Sequence, residues 1–171
     1  MKEWLKSKLW SRVSPERKEK LRRGALLFLA TGGFSGYFPV APGTAGTLVG
    51  VLILWCLADA PSFFRLVLCL FLMGTGVWAA FEAGRRFKSP DSGKIVIDEI
   101  VGIMVAMIGI PITGYWLVVG FILFRFFDIA KLPPVDWLDR RLKNGWGVMA
   151  DDVMSGVYCN LILRLMLKTS I

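Results

Sequence analysis

Between Gly24 and Ala58 the chain runs for 35 residues without a charged side chain. Two more such runs follow, 16 residues over Leu66–Phe81 and 25 over Ile100–Phe124. A helix crossing the hydrocarbon core of a bilayer needs about 20 mostly apolar residues. Three such runs in a chain of 171 residues leave too little polar surface for a soluble globule. Lipid obliges every backbone polar group to find its partner within the protein, and the alternation of a transmembrane barrel is missing. The expected fold class is therefore all-α, a polytopic integral membrane helical bundle.

Six apolar segments can be marked: Gly24–Phe38, Thr44–Leu57, Phe63–Ala83, Ile95–Ile112, Tyr115–Ile129 and Val148–Leu167. Pro111 and Gly114 break the third uncharged run into a tight helical hairpin. The basic clusters are the N-terminal arm, the stretch from Arg85 to Lys94, and the stretch from Lys131 to Lys143. By the positive-inside rule all three are cytoplasmic. The last five segments then alternate across the membrane. The first does not fit, because it and the second both begin inside. It reads as a re-entrant or half-inserted segment, with a true span as the competing topology.

Charge divides the chain further. Residues 1–23 hold nine cations and three anions of a chain whose net charge is +8. This gives a basic arm, 1–23, ahead of a membrane-embedded body, 24–171. Trp4, Leu5, Lys8, Leu9 and Trp10 stand at roughly helical spacing and suit an interfacial amphipathic helix. Anionic lipid is the expected partner of the arm, and no nucleic-acid motif follows it. The arm is long and contains Glu, and no small-residue cleavage site follows, which argues against a secretory signal. Cys56, Cys69 and Cys159 are scattered singly and read as packing residues. The sequence carries no sign of oligomeric state.

There is no histidine. A Ser-His-Asp triad, a His general base, a phosphohistidine and His-ligated zinc are all excluded. Catalysis would have to use carboxylates, Arg, Lys, hydroxyls, backbone or a metal held by oxygen.

The topology gathers such groups on one membrane face. Asp98 and Glu99 start the fourth segment, Arg125 and Asp128 end the fifth, Asp151 and Asp152 start the sixth, and Pro42-Gly43-Thr44 starts the second. Ionisable groups in apolar helices are costly and tend to act together. Two acidic doublets at one depth would repel, and a divalent cation relieves this. Oxygen-only ligands favour Mg²⁺, Mn²⁺ or Ca²⁺. The plainer alternative is ion pairing: Asp128 with Arg125 or Lys131, and Asp151 and Asp152 as anions at a helix start. Gly43 allows close backbone approach and Thr44 suits a helix N-cap, so this helix start could hold phosphate, or could be a rigid turn with no ligand. Among the cations Arg125 stands out, because it lies inside an apolar helix.

Several of these elements carry a family resemblance. The turn Pro39-x-x-Pro42-Gly43-Thr44-x-Gly46-Thr47 resembles that of bacterial phosphatidylglycerophosphatase A. So do Ile97-Asp98-Glu99-Ile100-Val101-Gly102, Phe124-Arg125-x-x-Asp128-x-x-Lys131, Trp137-x-Asp139-Arg140 and Gly147-x-Met149-x-Asp151-Asp152, in matching order over roughly residues 25–165. One departure is Leu132, which stands between the motif lysine and Pro133. The resemblance implies a Mg²⁺-dependent phosphatase of the bacterial inner membrane, with its active site on the cytoplasmic face, converting phosphatidylglycerophosphate to phosphatidylglycerol. Asp98, Glu99, Asp151 and Asp152 would hold the metal. Asp128 would be a further ligand or the base for water. Gly43, Thr44, Arg125, Lys131, Asp139 and Arg140 would meet the substrate. Two other readings stand beside it: a non-enzymatic cation-binding or transport protein, which needs acids at several depths, and a phosphatase for another lipid phosphate.

Overall fold

The computed structural model describes residues 14–88, 92–131, 133 and 145–169, with the side chains of Gly145 and Val148 outside the description. These residues form six α-helices and no strand: α1 Pro15–Ala30, α2 Pro42–Cys56, α3 Ser62–Phe87, α4 Ile97–Ala106, α5 Gly114–Ala130 and α6 Gly145–Thr169. The all-α expectation holds for them. The amphipathic pattern at residues 4–10 lies outside the described residues.

Helix α1 runs unbroken through Arg23 and Gly24, from basic arm into apolar sequence. Ser14 caps it by accepting from the Arg17 N–H, with Pro15 at the first helical position. It stops at Ala30, where Gly32 and Gly33 take positive φ and a 3₁₀ turn, Ser35–Tyr37, follows. Gly24–Phe38 is therefore half helix and half broken path. The Val96 N–H donates to the Ala30 carbonyl, which ties this break to the start of α4.

Helix α2 corrects one expectation. Its N-cap is Ala41, in the left-handed region, and not Thr44. Pro42 takes the first helical position, where its fixed φ suits the helix and its missing N–H is no loss. Thr44 then lies within the first turn. Helix α4 is also shorter than Ile95–Ile112 suggests. It has 10 residues, about 15 Å. A later helix stops it: Asn160 Nδ2 donates to the carbonyls of Ala106 and Ile108 at 2.8 Å each, and Arg164 Nη2 to Ile108 at 3.0 Å.

The core sits where α4 is wrapped by α2, α3, α5 and α6. Small residues set the approach. Gly43, Gly46 and Gly50 present one face of α2 to Glu99, Val96 and Ile103, and a Cβ at each would collide. Gly102 of α4 packs on the Phe124 ring of α5 and on α6 backbone, and Gly156 of α6 packs on the Gly102 carbonyl. Small residues of this kind let helix backbones approach closely.

Outside this core much of the helix surface beyond α1 is apolar. On α5, Val118, Ile122, Phe126 and Ile129 form one exposed stripe at helical spacing. Among the described residues one helix, α3, is long and apolar enough to cross a membrane, and α2 is apolar but shorter. Only 28% of the apolar stretch of α3 is buried, whereas the core helix of a soluble protein would be mostly covered. Of the cysteines, Cys69 and Cys159 are packed as expected, while Cys56 is exposed.

Candidate active site

Each acidic group reaches the site because its helix begins or ends there. Asp98 and Glu99 occupy the first turn of α4, where a helix N-terminus favours anions. Asp151 and Asp152 lie in the second turn of α6. α4 and α6 run parallel in a fixed register: Gly102 meets Gly156, and Ala106 meets Asn160 one turn on. The same offset, taken back one turn, sets Asp98 beside Asp152. α5 runs the other way and delivers Arg125 and Asp128 near its end.

The outcome is a tight carboxylate group. One oxygen each from Asp98, Glu99 and Asp152 lie within 4.8 Å of one another. Asp98 and Asp152 are 7% and 4% exposed. Asp98 Oδ1 and Glu99 Oε2 are buried and accept no hydrogen bond. Such atoms cost free energy unless something polar meets them. Asp98 and Glu99 are in hydrogen-bonding reach of each other, and Asp152 is in reach of Asp128. Three or four carboxyl groups at this spacing need shared protons or a cation.

The fit to a divalent metal can be judged from these atoms. The donor set is all oxygen, as Mg²⁺, Mn²⁺ and Ca²⁺ require. Two oxygens on opposite sides of one ion lie about 4.2 Å apart for Mg²⁺ and about 5 Å for Ca²⁺. The three oxygens all lie within 4.8 Å of one another, inside the larger of these spans. The residues fit.

Asp151 differs from its neighbour. Its Oδ2 pairs with Lys131 Nζ at 2.8 Å, which bridges the end of α5 to α6. The sequence pointed Lys131 toward phosphate or Asp128 and grouped Asp151 with the metal ligands. The structure ties these two to each other, beside the three-carboxylate group.

Arg125 and Asp128 form an ion pair one turn apart along α5, both side chains under a fifth exposed. Arg125 Nε is buried and makes no hydrogen bond. Gly43 stands against Glu99 and Arg125: a Cβ there would strike Glu99 Oε1 and come within 3.3 Å of Arg125 Nη1. The N–H groups of Gly43 and Thr44 precede the first intrahelical bond of α2, which Ala45 makes to Ala41. A helix start, a guanidinium and a carboxylate cluster therefore adjoin. Asp139 and Arg140 lie outside the described residues.

Two polar residues, one buried and one partly buried, went unnoticed in the sequence. Ser155, fully buried one turn after Asp151, has a hydroxyl with no partner. Asn160 closes α4. A Ser or Asn in an apolar helix gives no local signal of what faces it.

Fold and site together define an all-helical protein with a buried carboxylate centre beside an arginine. Residues 28–167 match the family model described as phosphatidylglycerophosphatase A. Phosphatidylglycerophosphatase A of Haemophilus influenzae is 36% identical over 140 residues, which cover 79% of this chain and 84% of that protein. The Escherichia coli protein of the same name is 33% identical over 131 residues, 75% of this chain and 76% of its own. A Bacteroides thetaiotaomicron protein with the provisional name phosphatidylinositol-3-phosphatase is 35% identical over 147 residues, 81% and 91%. No solved structure matches. The chain belongs to the phosphatidylglycerophosphatase A family and is a phosphatase.

Proposed function

We propose that the protein is a Mg²⁺-dependent lipid phosphatase of the bacterial inner membrane that hydrolyses the terminal phosphomonoester of phosphatidylglycerophosphate. The observation that carries this reading is the convergence of Asp98, Glu99 and Asp152 within 4.8 Å beside Arg125 and the start of α2. A cation path needs acids strung through the bilayer; here they meet at one end of the bundle.

Asp98, Glu99 and Asp152 would hold Mg²⁺, with Asp151 behind them through Lys131. The bound ion would neutralise phosphate charge and lower the pKa of water. The unpartnered Arg125 Nε and the free N–H groups of Gly43 and Thr44 suit phosphate oxygens. Asp128 orients Arg125 and stands in reach of Asp152, where it can accept the proton of an attacking water. By the family resemblance, Asp139 and Arg140 would also meet the substrate.

The exposed apolar stripes of α3 and α5 support a multi-pass bundle with its carboxylate end on the cytoplasmic side, where the basic clusters gather. The short α2 and α4 would be shielded by α3, α5 and α6 instead of each facing lipid throughout.

A lipid panel tests the reading. Purified protein in detergent should release phosphate from phosphatidylglycerophosphate in Mg²⁺ and not in chelator. The panel includes phosphatidic acid, lysophosphatidic acid and phosphatidylinositol 3-phosphate, the last because of the name of the Bacteroides relative. A preference for one of these moves the substrate. No phosphate release from any lipid contradicts the reading.

A further inference from the structure

A second charged site lies outside the carboxylate cluster. Helix α1 packs on the C-terminal half of α3, and a groove of about 460 Å³ opens between them. Arg22 and Arg23 line it from α1, Arg85 and Arg86 from α3. The acids on its walls are Glu19 and Glu82, so two positive charges are in excess.

Both acids are already engaged, Glu19 with Arg23 and Glu82 with Arg85 at 3.9 Å. Among the described residues no carboxylate pairs with Arg22 or Arg86. The Arg22 guanidinium lies over the Trp78 ring, 6.0 Å from its centroid. Beneath the arginines the floor is apolar, formed by Leu26, Leu27 and Ala83. Phe28 and Phe81, each about half exposed, extend apolar surface beyond it. A cationic mouth over an apolar floor is the complement of a phospholipid: phosphate above, acyl chain below.

Depth agrees. Gly76 packs on Ile97, the residue before Asp98. Arg85 and Arg86 lie nine and ten residues further along α3, about 14 Å. At 26 residues α3 is about 39 Å long, some 9 Å more than the hydrocarbon core. Its last turn therefore emerges among headgroups, with Trp78 and Phe81 just below, as aromatic residues at an interface sit.

We propose that this groove binds the phosphate headgroup of an anionic phospholipid of the surrounding membrane, a lipid distinct from the one turned over at the carboxylate cluster. Arg22 and Arg86 hold the phosphate, for which planar guanidinium donors are suited. An acyl chain lies on Leu26 and Leu27. The bound lipid joins α1 to α3 and reduces the repulsion among four arginines. This narrows the lipid contact expected of a basic arm to one built groove, and it stands whether or not the chain hydrolyses phosphatidylglycerophosphate.

The test uses the full chain in neutral detergent, with bound lipid counted by native mass spectrometry during titration with phosphatidylglycerol or phosphatidylcholine. The wild type retains phosphatidylglycerol in preference to phosphatidylcholine. Arg22→Gln/Arg86→Gln weakens phosphatidylglycerol binding by roughly 10- to 30-fold, the scale expected for two basic residues at an anionic surface, and leaves phosphatidylcholine binding unchanged. Arg22→Lys/Arg86→Lys keeps most of the binding, and Arg86→Gln alone shows a smaller loss in the same direction. Circular dichroism of each variant separates lost binding from lost fold. Equal phosphatidylglycerol binding by wild type and a folded Gln double variant overturns the proposal. So does displacement of the lipid by millimolar inorganic phosphate, which would make the groove a site for a soluble anion.

Discussion

Gly102 of α4 and Gly156 of α6 touch backbone to backbone: a methyl group on Gly156 would run into the carbonyl oxygen of Gly102. Each glycine stands four residues after an aspartate, Asp98 in one helix and Asp152 in the other. The parallel register that joins the glycines therefore joins the aspartates one turn earlier. The distance between two of the proposed metal ligands is set by a contact that contains no polar side chain.

Gly156→Val should push α6 off α4. Overpacking of this kind costs about 1–3 kcal/mol. Activity should fall further than the shift in thermal unfolding explains, because the carboxylates separate before the helices melt. Unfolding in detergent followed by circular dichroism, alongside phosphate release, measures both.

Asp151 and Asp152 are adjacent but differently engaged, one with Lys131 and one within the three-carboxylate group. Asp152→Asn should cost more than about 100-fold in kcat/KM, beyond the scale for groups that only support a metal ligand. Asp151→Asn should cost about tenfold or less. Equal losses would place both directly on the metal.

Gly43→Ala introduces a methyl group into the space held by Glu99 Oε1. Either the start of α2 retreats or Glu99 turns away. Activity should drop about tenfold or more while Lys131 and Asp151, on the other helices, keep their pair; a misplacement near 1 Å is enough for such losses. Wild-type activity in this variant would remove the start of α2 from the site.

Asn160→Ala leaves the Ala106 carbonyl without its side-chain donor and the Ile108 carbonyl with Arg164 alone. Unfolding should become easier by about 1–3 kcal/mol. The Mg²⁺ dependence of activity should not change, because Asn160 lies two turns beyond Asp152 along α6.

Much of this was legible in the chain. Uncharged runs marked the apolar helices, and Pro111 to Gly114 marked the turn before α5, where Thr113 caps the new helix. The two acidic doublets and Arg125 announced a site because such groups are rare inside apolar segments. What escaped depends on contacts between distant helices. The early end of α4 is made by Asn160 and Arg164, more than fifty residues away. The start of α2 moved to Pro42 because Ala41 adopts a left-handed conformation, for which alanine gives no cue. The split between Asp151 and Asp152 follows from which side of α6 faces Lys131, and adjacent aspartates look alike in a sequence.

The most direct test is phosphate release from phosphatidylglycerophosphate as a function of Mg²⁺ concentration, for wild type and Asp152→Asn at matched amounts of folded protein. Saturable release by the wild type, none in chelator, and almost none by the variant at any Mg²⁺ concentration is the predicted result. Release in chelator, or the same curve for both proteins, would contradict a metal held by Asp98, Glu99 and Asp152.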